Sequence, residues 1–149
     1  MTTEKYLSRM SWLENMILSR AERVEFGRSR ATNMVAPTDK EPVQTSPKDT
    51  MCEIMSDVAD NDKELQAYKA EYLYIKSQID SLTGVYSSAY LYMRFAKQKS
   101  VNETARTLNV SRSTAYRIQR LAVAEFEKMY GKIYKKAKNF QFMTQFDTL

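Results

Sequence analysis

Histidine is missing from this 149-residue sequence, and Cys52 is its only cysteine. With one thiol and no imidazole, a zinc site of Cys/His type has no ligand set and a His-based triad has no base. No intrachain disulfide can form, so a reducing, cytoplasmic setting is expected. Only three glycines and three prolines occur, and β-branched runs are few, which favours an all-α protein. No apolar run approaches the ~20 residues that span a bilayer. The N-terminus is polar and charged, unlike a signal peptide, so a soluble chain with no membrane partner is expected. No clustered acid and base, nucleophile or phosphate loop stands out. No catalytic residue, cofactor or metal is therefore assigned, and the chain is not expected to be an enzyme.

Cationic charge is present and is segregated. Residues 1–84 hold 11 Lys or Arg against 14 Asp or Glu, whereas residues 85–138 hold 12 against 3. A net charge near +9 concentrated in one segment suits counterion release from a phosphate backbone. Within that segment, Ser100 followed three residues later by Glu103 forms a capping box and predicts a helix from about Val101. Ala105 and Leu108 continue it at helical spacing, Asn109 suits a left-handed turn, and Val110 is an apolar plug. Ser111 caps a second helix. Ala115, Ile118 and Ala122 share one of its faces, and Arg112, Ser113, Thr114, Arg117 and Arg120 share the other, with Tyr116 beside them. The small residues Ala105 and Ala115 allow two helices joined by a short turn to cross closely. The polar face carries Arg for guanine edges and Ser or Thr for bases and phosphates, which is the layout of a recognition helix in a helix-turn-helix.

The block from Tyr90 to Arg120, YLYMRFAKQKSVNETARTLNVSRSTAYRIQR, resembles sigma-70 region 4. As a helix-turn-helix it departs from the usual pattern at Thr104, where an aliphatic residue is more common, and at Asn109, in place of Gly. With long helices ahead of it, the whole chain resembles the small phage-encoded late-gene transcription regulators of the RinA/ArpU-like group. That resemblance implies a DNA-binding activator working in a bacterial host cell with host RNA polymerase. No stretch matches sigma region 2, so a complete sigma factor is not implied.

The rest of the chain is read in order. Tyr6, Met10, Leu13, Ile17 and Val24, widened by Trp12 and Met16, predict an N-terminal amphipathic helix over residues 1–26 that ends at Gly27. Pro37, Pro42 and Pro47 among polar residues predict a flexible linker over 27–48. Residues 49–84 carry heptads, with Met51, Val58, Leu65, Tyr72 and Ile79 at a and Ile54, Asn61, Tyr68, Ile75 and Leu82 at d. A coiled-coil-type helix roughly 50 Å long is expected, with Asn61 setting register and the seam meeting both the N-terminal helix and a second copy. Gly84 ends it. Residues 85–131 form the helix-turn-helix domain, where Tyr86, Tyr90, Leu91, Met93 and Phe95 supply apolar mass. Its last helix continues through Leu121, Ala124 or Val123, Phe126 and Tyr130 to Gly131. Residues 132–149 form a basic, then aromatic, tail with Phe140, Phe142, Met143 and Phe146.

The function expected from these features is a sequence-specific, double-stranded-DNA-binding transcription regulator that works as a homo-oligomer. Its DNA contacts are Lys97, Lys99, Ser100, Ser111, Arg112, Ser113, Thr114, Tyr116, Arg117 and Arg120. Two alternatives remain open: a DNA-packaging recognition protein like a phage terminase small subunit, and a sigma-mimic adaptor that binds RNA polymerase.

Overall fold

The computed structural model describes residues 1–35 and 47–140. The protein is all-α: α1 (Thr3–Val35), α2 (Pro47–Asp80), α3 (Ser87–Leu91) running on into a π-helical turn (Tyr92–Ala96), α4 (Val101–Thr107) and α5 (Arg112–Tyr134), with no strand among the described residues. The chain divides into two compact units. One is built from Met1–Glu14 together with Ala70 onward, the other from Asn15–Lys69. None of the described helices is long and apolar enough to cross a membrane.

The 15–69 unit has a small apolar core in which Val24 meets Ile54 and Val58, with Ala31 against them. Arg20, which interrupts the apolar stripe of α1, pairs with Glu64 at 2.5 Å. The helix does not stop at Gly27. It runs on to Val35, which corrects both the expected 1–26 helix and the expected linker at its first nine positions. Residues 36–46 of that linker lie outside the described residues, and Pro47 already belongs to α2.

Gly27 has a packing role instead, because a Cβ placed there would collide with Cγ2 of Val58. Ordinarily Gly→Ala inside a helix gains about 1 kcal/mol. Here the new methyl must displace a β-branched side chain that is stiff at χ1 in a helix, and overpacking costs about 1–3 kcal/mol. Gly27→Ala is therefore expected to lower the urea midpoint, and to be better tolerated in a Val58→Ala background. A rise in midpoint with Val58 intact would show that the two helices have room to spare.

The other unit has an aromatic core. Tyr6 stacks on Tyr134 with ring centroids 4.4 Å apart, and Phe126 lies 6.0 Å from Tyr6 and 6.1 Å from Tyr134. The buried phenols are satisfied: Tyr6 donates to Gln78 Oε1 at 2.8 Å, and the Tyr134 and Thr3 hydroxyls are 2.8 Å apart. Burial raises the pKa of Tyr6 far above the ordinary phenol value, so it stays a neutral donor. Met10 and Leu13 are fully buried with Tyr6, as the stripe requires, while Trp12 remains 40% exposed under the Arg9 guanidinium, 3.8 Å from its ring centre.

The heptad face of α2 is largely covered within one chain. Ile54, Val58, Leu65, Ile75, Ile79 and Leu82 are buried, and Met51, Asn61, Tyr68 and Tyr72 are half-buried. Asn61 donates to the carbonyl of Asp57 in its own helix, 2.8 Å away. The helix ends at Asp80 rather than Gly84. Gly84 lies close to the start of α3 instead: a Cβ there would meet the Ser87 hydroxyl, which would have to turn aside. Gly131 likewise ends nothing, since α5 passes through it to Tyr134, so the expected tail begins as helix. Its residues 141–149, with Phe142, Met143 and Phe146, lie outside the described residues.

Candidate nucleic-acid interface

The geometry of α4 and α5 follows from a few local signals. The Ser100 hydroxyl accepts from the Glu103 amide at 3.2 Å, while the Glu103 carboxylate accepts from the Ser100 amide at 3.1 Å. Two donors that a helix start leaves unpaired are thereby satisfied reciprocally. The turn is made by Asn109 with φ 57°, a conformation that Asn tolerates better than most residues with a Cβ. Ser111 then caps α5, its hydroxyl accepting from the Thr114 amide at 3.2 Å. Thr104, where an aliphatic side chain is usual, is fully buried and donates its hydroxyl to the Ser100 carbonyl at 2.8 Å. It acts as an apolar methyl with its polar atom hidden in the helix.

Ala105, Ala115, Ile118 and Ala122 are buried, so α5 packs on α4 and α3 through the face expected. The opposite face is open. Arg112, Ser113, Thr114, Tyr116, Arg117 and Arg120 are all exposed, and the Arg112 guanidinium sits 5.7 Å from the Tyr116 ring centre. None of these three arginines has a carboxylate partner among the described residues. Leu121, expected to continue the apolar face, is 61% exposed on this open side.

The two lysines of the preceding turn differ. Lys97 pairs with Glu14 at 2.6 Å, and this bond raises its pKa, so its charge is already answered within the chain. Lys99 makes no such pair, and its carbonyl accepts from Arg94 Nη1 at 2.7 Å. The turn is shaped by the π-helical bond from the Lys97 amide to the Tyr92 carbonyl, 3.2 Å, and by Gln98 at φ 54°. Sequence spacing gave no sign of Glu14, which lies 83 residues away.

Glu125 is a second residue that pattern-reading missed. Its carboxylate accepts from the Thr83 amide and hydroxyl, each at 2.8 Å, and from the Gly84 amide at 3.3 Å. It thus ties α5 to the turn after α2. The Thr83 amide above all, then the Thr83 hydroxyl, holds its pKa below the ordinary 4.5. A depressed carboxylate adds stability that is complete above the unfolded value and is lost as pH falls through the folded one. Stability is therefore expected to decline as pH drops below about 4.5, and Glu125→Gln should flatten that acid limb. Superimposable urea midpoints for the two proteins across the acid range would rule this lock out.

No curated protein and no solved structure matches this chain. One family profile does, over residues 45–127, which takes in α2, α3, α4 and the first two-thirds of α5. Since more than half of the chain lies inside that match, it belongs to the family described as Protein of unknown function (DUF1492).

Proposed function

We propose that this protein binds double-stranded DNA sequence-specifically and regulates transcription, with α4 and α5 acting as a helix-turn-helix and the first half of α5 as its reader. The observation that carries the reading is the open face of α5. Three arginines, a serine and a threonine stand exposed over the first nine residues after the Ser111 cap, with no acidic side chain among them. A protein gains nothing in stability from leaving such charges unpaired, whereas a major groove offers acceptors for each.

The resemblance to phage late-gene regulators narrows the role to activation alongside host RNA polymerase. Oligomerisation belongs to the same reading, because two copies read two half-sites. Most of the heptad seam is covered within one chain, so the number of copies is to be measured by sedimentation and not counted from heptads.

The test is selection from a random-sequence duplex pool, followed by footprinting on the source genome. Enrichment of one motif, with occupancy upstream of a late operon, is the expected result. Occupancy at a packaging site would shift the role to DNA packaging. Polymerase binding without any enriched motif would favour the adaptor, and an unenriched pool without polymerase binding would sink the proposal.

A further inference from the structure

The open face of α5 does not stop where the reading residues stop. With ~100° per residue, Ser113, Arg117, Arg120, Leu121, Ala124, Lys128 and Lys132 all fall within about 60° of Arg117 on the helix. Every one of them is exposed. Lys128 and Lys132 are one turn apart, and Lys136 follows at the same spacing just past the helix end. Like charges at this spacing repel and weaken a helix. Only Lys132 lies in the last turn of α5, where the helix dipole offsets part of that cost.

Nearby acids do not relieve the rest. The two carboxylates of α5 are both engaged: Glu125 with Thr83 and Gly84, and Glu127 with Lys135. Neither Lys128 nor Lys132 has a carboxylate partner among the described residues. Along the axis they stand about 16 Å and 22 Å beyond Arg117, at ~1.5 Å per residue. A major groove is only about 12 Å wide, so a straight helix with Arg117 at the bases carries these lysines over the strand that bounds the groove.

We infer that Lys128 and Lys132 form a second DNA contact, a phosphate clamp on the duplex flanking the site read by the start of α5. This rests on the DNA-binding reading but concerns a different part of the helix and a different part of the ligand. The contact is blind to sequence, adds affinity and salt dependence, and lengthens the protected DNA on one side.

The experiment compares the full-length protein with the Lys128→Gln/Lys132→Gln variant, on the duplex recovered by selection and on a random duplex of equal length. At about 0.9 per phosphate released, losing two contacts should reduce the salt slope by roughly 2 for each copy bound. Between 50 and 200 mM salt the wild type should then lose on the order of 12-fold more affinity than the variant for each copy bound, on both duplexes alike. Trimming the flank on one side should cost the wild type affinity and leave the variant unaffected. An unchanged slope with a raised Tm would mean that the lysines are only a solvated, self-repelling face, and would overturn the clamp while leaving base reading intact. A reduced slope with no sequence preference in either protein would uphold the clamp and remove the reader. If the wild type binds neither duplex, both fall.

Discussion

Replacing Phe126 with alanine is expected to remove about 3–5 kcal/mol of stability from the unit that holds the candidate interface. The side chain is fully buried, and its ring lies 5.2 Å from Tyr130 and close to both Tyr6 and Tyr134. Removing it deletes a large apolar surface and leaves a cavity bounded by two other fully buried rings. Those rings cannot close the gap freely, since Tyr6 is bonded to Gln78 and Tyr134 to Thr3. Against a typical total of ~5–15 kcal/mol, this is enough to unfold a substantial fraction of molecules on mild heating. Urea titration followed by circular dichroism should show a much lower midpoint with the slope unchanged. A loss under about 1 kcal/mol would mean that the second half of α5 is not seated on α1 as the ring contacts imply.

What the sequence made legible was whatever is written within three or four residues. The Ser100–Glu103 box, the left-handed Asn109, the Ser111 cap and the division of α5 into a small-residue face and a charged face all have their physical partners nearby in the chain. What stayed hidden depends on partners far away. Glycine reads as a helix stop because its propensity is poor, but Gly27 is set by Val58 across the unit. An apolar heptad stripe says that a face is buried without saying what buries it. Six of the ten seam side chains are covered within a single chain, and Asn61 bonds its own helix. Lys97 reads as a free cation from its position in a basic turn, and its pairing with Glu14 is invisible at that range. The charge count was right in sum, and only the three-dimensional arrangement separates answered cations from open ones.

Arg117→Ala is the substitution that separates reading bases from merely touching DNA. Ser111 fixes the start of α5, so Arg112, Ser113 and Thr114 occupy its first turn, and Arg117 follows on the outward face little more than a turn later. Arg112 lies over the Tyr116 ring, which directs it along the helix surface, whereas Arg117 has no ring or carboxylate holding it among the described residues. It is the cation best able to reach a guanine edge, where a bidentate pair discriminates by about 1–3 kcal/mol. The alanine variant should lose that much on the selected site, little on random duplex, and its tolerance should widen at one base position. Stability should hardly change, because the side chain is exposed. Lys128→Gln provides the contrast, since losing the proposed phosphate contact should weaken both duplexes together and show itself in the salt slope. Equal losses for Arg117→Ala on specific and random DNA would mean that α5 grips the backbone without reading it. The arginine-rich face would then be an electrostatic surface only, and the protein's specificity, if any, would have to come from a partner such as RNA polymerase.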